Sequence, residues 1–181
     1  MSDKLFLANP MSRADIRKIA NSIRKRFNFN KLKFPLIEFV EFIMPKFIDK
    51  KFYLEIRTIE EMPNYYAQAI PGEHKIILRQ DVYDGVIEGD TRSCFTLAHE
   101  IGHYILHKHE NIIILNRNDP NFKNLSIRDF EKPEWQANTF AGELLVPYGK
   151  ILDFTPEQIS IYCGVSRQVA EIQLSINKKG S

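Results

Sequence analysis

The sequence predicts an α+β fold in which a small β-sheet packs on one central helix and a helix-turn-helix-like pair follows at the C-terminal end. Three observations lead to this prediction. Several segments repeat apolar residues at helical spacing, which is typical of helices with one buried face. Other short segments alternate apolar and polar residues, as half-buried strands do. Residues 91–107 are apolar around most of the helical circumference, so we expect this helix inside the core.

Length and composition favour an ordinary globular protein. The chain has 181 residues, of which 44% are apolar, so it can bury a substantial core. We expect residues 1–150 to form the main domain and residues 151–181 to pack on it as a helical pair. The charged N-terminus, with Pro10, lacks the apolar core of a signal peptide, and no segment reaches the length of a membrane span. A cytoplasmic protein without membrane contact is therefore expected.

Cysteines and charge add little to the functional argument. Cys94 and Cys163 fit a reducing compartment and read as small buried hydrophobic residues. The net charge is +2, with a basic cluster in residues 24–33. Such a cluster could attract nucleic acid or an acidic partner, but no nucleic-acid-binding motif accompanies it. We therefore interpret it as a solvated helix face.

Two helices are predicted at the N-terminal end. Ser12 can cap a first helix that runs to about Phe27 and repeats apolar residues at helical spacing. Pro35 can open a second helix, which we expect to end before Pro45 because proline has no N–H to donate. Both helices are expected to serve packing.

A small sheet is predicted between these helices and the central one. The strand segments are residues 52–57, 65–70 and 75–78. The last two flank Pro71 and Gly72, which are typical of a hairpin turn. Residues 80–90 are polar and contain two glycines, so a loop is expected there, and Asp90 or Thr91 can cap the central helix.

The central helix carries a His-Glu-x-x-His motif. His99 and His103 are four residues apart, so on a helix their imidazoles point to one spot. Glu100 is rotated by about 100° around the axis and would lie beside that spot. In zinc peptidases with this pattern the metal lowers the pKa of a water, and the carboxylate acts as general base. We predict that His99 and His103 bind Zn²⁺, or another divalent ion, and that Glu100 is catalytic.

The motif also has a structural alternative, a core helix whose histidines are satisfied by hydrogen bonds. Three polar side chains in such an apolar helix would be destabilising without partners, which favours the metal site. A catalytic zinc ion usually has three protein ligands, so a further ligand is needed. Residues 131–147 predict a second helix, opened by Pro133 and ended by Pro147. On it, Glu134 and Asn138 share a face.

We expect Glu134 to bind the metal and Asn138 to accept a hydrogen bond from a ligand imidazole. Small residues would let the two helices approach closely: Gly102, Ala137 and Ala141. Among the competing carboxylates, Glu131 lies near a fraying end and Glu143 on the opposite face. Otherwise Glu134 would be a first-turn acid that complements the helix dipole.

The two helices together resemble a known family. FTLAHEIGHYILH, followed downstream by EWQANTFAGELLVP, resembles the ImmA/IrrE metallopeptidases, with a pattern of HExxH and then ExxANxFAxxLLxP. The resemblance covers residues 92–147. It implies a zincin-like metallopeptidase domain in which His99, His103 and Glu134 hold zinc.

The resemblance also implies a substrate. Characterised ImmA/IrrE members look like intracellular proteases that cleave a helix-turn-helix repressor encoded nearby, which relieves repression of mobile-element or stress genes. We therefore expect an intracellular zinc endopeptidase whose partner is such a repressor. The alternative is a DNA-binding or protein-binding regulator with a structural metal site. An open coordination position favours the enzyme, and a closed four-ligand site favours the regulator.

Residues 155–174 predict the C-terminal pair of helices. Thr155 and Gln158 form a capping box, Gly164 separates the helices, and Ser166 caps the second. Polar side chains on the second helix are Arg167, Gln168 and Gln173, with little further basic support. We therefore favour packing or substrate docking over DNA binding.

The remaining polar residues lie outside the predicted metal site. His107 is too far along the helix from His99 to share its ion, so it and His109 are expected to pack or cap the helix end. Four side chains could stabilise the oxyanion beside the metal: Tyr65, Tyr66, His74 and Tyr104. Residues 111–115 predict a short strand and residues 116–129 a polar loop.

Overall fold

A computed structural model describes residues 4–108, 113–116 and 128–179, with the side chains of residues 4–6 and 113–116 left out. It confirms the predicted α+β class. The helices are α1 (Arg13–Arg26), α2 (Leu36–Glu38), α3 (Gln80–Glu88), α4 (Thr91–Leu106), α5 (Pro133–Leu145), α6 (Pro156–Cys163) and α7 (Arg167–Lys179). The strands are β1 (Lys4–Leu7), β2 (Tyr53–Arg57), β3 (Ala67–Ile70), β4 (Lys75–Arg79) and β5 (Ile113–Asn116).

The main sheet has three strands in the order β2-β4-β3. β2 runs parallel to β4 and β3 antiparallel to it, so Leu54 and Ala69 flank Ile76 on either side. The central strand β4 is buried along its whole length, whereas β3 lies at the edge of this sheet. The predicted hairpin of β3 and β4 is confirmed. β1, which the sequence analysis missed, pairs with β5 in a separate two-stranded sheet.

Two segments differ from the sequence prediction. The helix opened by α2 continues as a π-helical stretch, Phe39–Ile48, through Pro45 instead of ending before it. Phe39, Val40 and Met44 are fully buried, and their packing holds the segment across the proline. The predicted loop at residues 80–90 is largely helix α3. Its burial pattern explains this difference.

Helix α3 forms because one of its faces reaches the core. Val82, Gly85 and Val86 are buried at helical spacing, whereas Gln80, Asp81, Asp84 and Glu88 are exposed. Gly89 ends the helix with a φ of 85°, a left-handed conformation that glycine adopts without steric cost. Asp90 then caps α4, because its carboxylate accepts a hydrogen bond from the backbone N–H of Ser93 at 2.7 Å.

The core is built around α4, which packs against α5, α3 and the main sheet. Leu97, Ala98 and Ile101 on α4 are fully buried, as the apolar circumference predicts. α5 packs against both α4 and α1. Arg24 of the basic cluster is buried rather than solvated, and its guanidinium donates to four backbone carbonyls, those of Lys31, Leu32, Leu144 and Leu145.

The C-terminal pair begins and ends where its capping signals predict. Thr155 and Gln158 form the capping box of α6, and Gly164 ends it with a φ of 67°. The hydroxyl of Ser166 accepts from the N–H of Val169 at the start of α7. α6 and α7 pack on each other, and α7 also contacts α5. The division at residue 150 stays a prediction.

The predicted strand at residues 111–115 is found in part as β5. His109 and most of the predicted loop at residues 116–129 lie outside the described residues. Among the described helices, none is both long enough and apolar enough to cross a bilayer.

Candidate metal centre

Helices α4 and α5 bring three predicted ligands together. The approach is close because Gly102 faces α5: a Cβ built there would lie 3.1 Å from the carbonyl oxygen of Ala137. Pro133 opens α5 at its first turn, as predicted, and sets Glu134 beside the histidine pair of α4.

The three ligand atoms lie close to one another. Nε2 of His99 is 2.9 Å from Nε2 of His103. The carboxylate of Glu134 lies 3.4 Å from Nε2 of His99 and 3.2 Å from Nε2 of His103. Ligands at zinc distances of about 2.05 Å form a tetrahedron with edges of about 3.3 Å. The donor set and its spacing therefore fit a divalent metal ion of the zinc type.

The charges around His99 and Glu134 favour a cation between them. Burial lowers the pKa of His99, but its hydrogen bond to Glu134 and the charges of Glu100 and Glu134 raise it above its ordinary value overall. Hydrogen bonds to His103 and His99 hold the pKa of Glu134 well below its usual range. Both shifts have the same cause, because the Glu134 carboxylate stabilises positive charge on the two imidazoles beside it.

Each of the two histidines has a hydrogen-bonding partner at Nδ1, the ring nitrogen that faces away from the other ligands. Nδ1 of His99 lies 2.9 Å from Oδ1 of Asn138, in the arrangement predicted for Asn138. Nδ1 of His103 lies 3.2 Å from Nδ1 of His107, which is buried at the end of α4. His107 is thus the C-terminal cap residue, as expected, and also contacts a ligand, which the sequence analysis missed. Its spacing of four residues from His103 was the available signal.

Glu100 lies beside the ligands and contacts the sheet. Its Oε2 accepts a hydrogen bond of 2.6 Å from the backbone N–H of Ala69, on the edge strand β3. Glu100, the three ligands and β3 line one cleft of about 670 Å³. A carboxylate held at the wall of such a cleft can accept a proton from a water inside it.

The competing carboxylates have other partners. Glu143 is buried on the opposite side of α5 and forms ion pairs with Arg17 at 2.9 Å and Arg13 at 3.4 Å. Glu131 accepts from the N–H of Arg128 at 2.7 Å and caps the short turn before α5. Glu134 is the carboxylate that α5 brings to the two histidines.

Three of the four oxyanion candidates contact residues outside the cleft. Tyr104 is fully buried, and its hydroxyl donates to Asp49 at 2.6 Å. His74 is also paired with Asp49, and Tyr66 lies over the guanidinium of Arg79. Among the described residues, the cleft lining includes none of the four candidates, Tyr65 being the fourth. It does include Lys108, which sequence reasoning did not single out.

Comparisons with known proteins agree with this site. Residues 88–175 match the family model of the IrrE N-terminal-like domain, Peptidase M78. Uncharacterized immunity region protein 2 of Bacillus phage phi105 is 33% identical over 84 residues, which are 44% of this chain and 49% of that relative. The chain spans about half the length of this curated relative.

The family match contains both helices of the metal centre. It begins just before α4, includes His99, His103 and Glu134, and continues through α6 into α7. The resemblance drawn from the two helical motifs is thereby confirmed. Residues 88–175 are thus similar to the IrrE N-terminal-like domain, as the resemblance to the ImmA/IrrE metallopeptidases implies.

Proposed function

We propose that this chain is a zinc-dependent endopeptidase of the zincin type. The observation that carries the proposal is the convergence of His99, His103 and Glu134 on one point, with Glu100 beside them in an open cleft. A bound zinc ion would polarise the scissile carbonyl and lower the pKa of the attacking water. The family name, Peptidase M78, agrees with this activity.

In this proposal Glu100 is the general base. It takes a proton from the attacking water and passes it to the leaving amine. The N–H of Ala69 fixes one carboxylate oxygen at 2.6 Å, which leaves the other oxygen for the proton. Asn138 keeps the ring of His99 oriented by accepting from its outer nitrogen.

The position of β3 supports an extended peptide as substrate. β3 is the edge strand of the main sheet and lines the cleft beside Glu100. An edge strand offers backbone donors and acceptors to which a further strand can pair. We propose that the substrate lies along β3 with its scissile bond above the metal. Such pairing recognises the backbone of the substrate and not its side chains. Specificity for one substrate sequence must therefore come from other contacts.

A structural metal site, the alternative from the sequence, receives less support. A closed zinc site needs four protein ligands, whereas the group that the described residues bring together has three. Its exposed member, Glu134, leaves one side of the site open to the cleft. This geometry suits a catalytic ion better than a structural one.

We propose a helix-turn-helix repressor as the substrate and the cytoplasm as the location. The matching relative is named as a phage immunity region protein, which agrees with a role in the regulation of phage immunity. The family resemblance implies repressor cleavage. The experiment below tests this substrate directly.

We assign the pair α6 and α7 to packing or substrate docking rather than to DNA binding. Arg167 is paired with Glu157 and Glu171, both at 2.9 Å, so its charge is already compensated. Gln173, a candidate for reading bases, is buried. Of the three polar residues predicted for the second helix, Arg167 is therefore ion-paired and Gln173 is buried, and neither is available to read bases.

Replacement of the proposed base tests this function. Co-expression of the chain with the repressor encoded beside its gene should shorten the repressor band on a denaturing gel. Glu100→Gln should abolish cleavage while the protein still folds and binds zinc, because the amide cannot take the proton. Glu88→Gln changes an exposed carboxylate at the end of α3 and should cleave normally. Cleavage by Glu100→Gln at the wild-type rate would contradict the proposal.

A further inference from the structure

We propose that His107 and Gln136 are positioning residues that fix the tautomer of the metal ligand His103. The proposal rests on the metal site described above and adds two residues to it. Both side chains are buried, Gln136 completely. A chain of hydrogen bonds leads from two backbone carbonyls through Gln136 and His107 to the imidazole of His103.

The orientation of the Gln136 amide follows from its backbone partners. One end of the amide lies 2.7 Å from the carbonyl oxygen of Asn9 and 2.8 Å from that of Phe130. Carbonyl oxygens only accept, so this end must be the NH₂ group, which donates to both. The opposite end, Oε1, therefore faces His107.

The proton of His107 follows from that orientation. Its Nε2 lies 2.9 Å from Oε1 of Gln136, which only accepts, so Nε2 carries the proton. A neutral imidazole with its proton on Nε2 has a lone pair on Nδ1. His107 thus offers an acceptor to the ring next to it.

The tautomer of His103 is the last step. Its Nδ1 lies 3.2 Å from the acceptor Nδ1 of His107, so His103 must carry its proton there. Its other nitrogen, Nε2, then has a free lone pair pointing at His99 and Glu134. This is the form in which histidine binds a metal. The relay thus prepares His103 before the ion arrives.

The relay also connects the metal centre to other parts of the chain. Asn9 lies in the segment between β1 and α1, and Phe130 lies in the short turn before α5. Neighbouring backbone bonds fasten the same segment, from Ala8 to Glu131 and from Met11 to Phe130. The ring of His103 is thereby linked, through His107 and Gln136, to three parts of the molecule: α5, the segment before α1 and the turn before α5.

The test is zinc affinity, measured by competition with a chromogenic chelator on the full chain. His107→Leu removes the acceptor, and Gln136→Met removes the group that fixes His107, so each should weaken zinc binding by about 10- to 100-fold. His107→Asn restores an acceptor oxygen near Nδ1 and should recover most of the affinity. Gln173→Met, which replaces another buried glutamine, is the matched control and should bind as the wild type does.

The outcomes separate this proposal from the function it rests on. If the wild type binds no zinc, or if His99→Ala binds it as well as the wild type does, the metal site and the relay both fail. If the site holds but His107→Leu and Gln136→Met bind normally, or Asn restores nothing, only the relay fails. ¹⁵N NMR of the zinc-loaded wild type should show the proton of His107 on Nε2; a proton on Nδ1 would overturn the relay without any substitution.

Discussion

At the scale of single residues, the site depends on which nitrogen of each ligand carries a proton. Asn138 faces the outer nitrogen of His99 at 2.9 Å. If its Oδ1 accepts from that nitrogen, the inner nitrogen stays free for the metal. Outer partners of this kind typically change metal affinity by 10- to 100-fold when they are removed.

We therefore predict that Asn138→Leu weakens zinc binding by about 10- to 100-fold, because the isosteric leucine cannot accept a hydrogen bond. Asn138→Asp keeps an acceptor at the same place and should stay near the wild-type affinity. Titration of each variant against a competing chelator measures the difference. Equal affinities for the leucine and aspartate variants would contradict the assigned role.

Helical spacing in the sequence groups the proposed metal ligands and their partners within each helix. His99 and His103 recur at one turn, and Glu134 and Asn138 do so on the second helix. The bonds of Glu100 to Ala69 and of His107 to Gln136 join residues far apart in the chain. No local pattern encodes such contacts, so only the folded structure reveals them.

At the scale of elements, the metal centre depends on how closely α4 approaches α5. Gly102 lies at the contact, where a Cβ would meet the carbonyl oxygen of Ala137 and the ring of Phe140, each at 3.1 Å. The backbone of Ala137 can move away from such a Cβ only if α5 moves with it. Because α5 also carries Glu134, any such displacement would change the spacing of the three ligands.

Gly102→Ala should therefore destabilise the protein although alanine favours helices. Overpacking costs about 1–3 kcal/mol, which exceeds the gain in helix propensity of about 0.5–1 kcal/mol. Urea unfolding should give a lower free energy of unfolding, and zinc affinity should fall as well. Gly72→Ala is the control, since a Cβ there meets nothing within 4 Å and the stability should change little. An increase in stability for Gly102→Ala would contradict the close packing.

The elements that the sequence analysis misjudged share a physical cause. Helix α3 buries Val82, Gly85 and Val86 among mostly polar residues, and Gly89 follows it directly, so its local pattern is that of a loop. The π-helical stretch continues through Pro45 because buried neighbours hold it in place. In both cases tertiary packing overrides the local preference of the chain.

At the scale of the whole molecule, Asp49 joins elements that surround the cleft. It follows the π-helical stretch and accepts hydrogen bonds from Tyr104 and Lys108 at the end of α4. The same carboxylate oxygen, Oδ2, also lies 2.7 Å from Nδ1 of His74, in the turn between β3 and β4. Desolvation raises the pKa of Asp49, but its bonds to His74, Lys108 and Tyr104 together hold the pKa well below its ordinary value.

The lowered pKa of Asp49 predicts how stability depends on pH. The stabilisation is fully present above the ordinary value of about 3.9 and is lost as the pH falls toward the lower native pKa. At pH 7, Asp49→Asn should lower the free energy of unfolding by about 1–3 kcal/mol, because bonds to a charged acceptor are replaced by weaker ones. Urea unfolding at pH 7, 5 and 3 should show the difference shrinking only at the lowest pH. A difference that stays constant down to pH 3 would contradict this assignment.

The arrangement of the whole molecule was predicted only in outline. Alternation and turn residues indicate the hairpin of β3 and β4, but they do not reveal that β2 runs parallel to β4. The pairing of β1 with β5 joins strands that are more than 100 residues apart in the sequence. β1 has only four residues, which is too short for its own pattern to indicate a strand. Strand order is set by contacts between residues far apart in the sequence, and the local periodicity of the sequence carries no information about them.

The central claim is that His99, His103 and Glu134 together hold one divalent ion. The most direct measurement is the zinc content per chain, by native mass spectrometry after a mild chelator wash, for the wild type, Glu134→Ala and Glu131→Ala. We predict one ion in the wild type and in Glu131→Ala, whose carboxylate caps a turn, and none in Glu134→Ala. Zinc retained by Glu134→Ala and lost from Glu131→Ala would contradict the account.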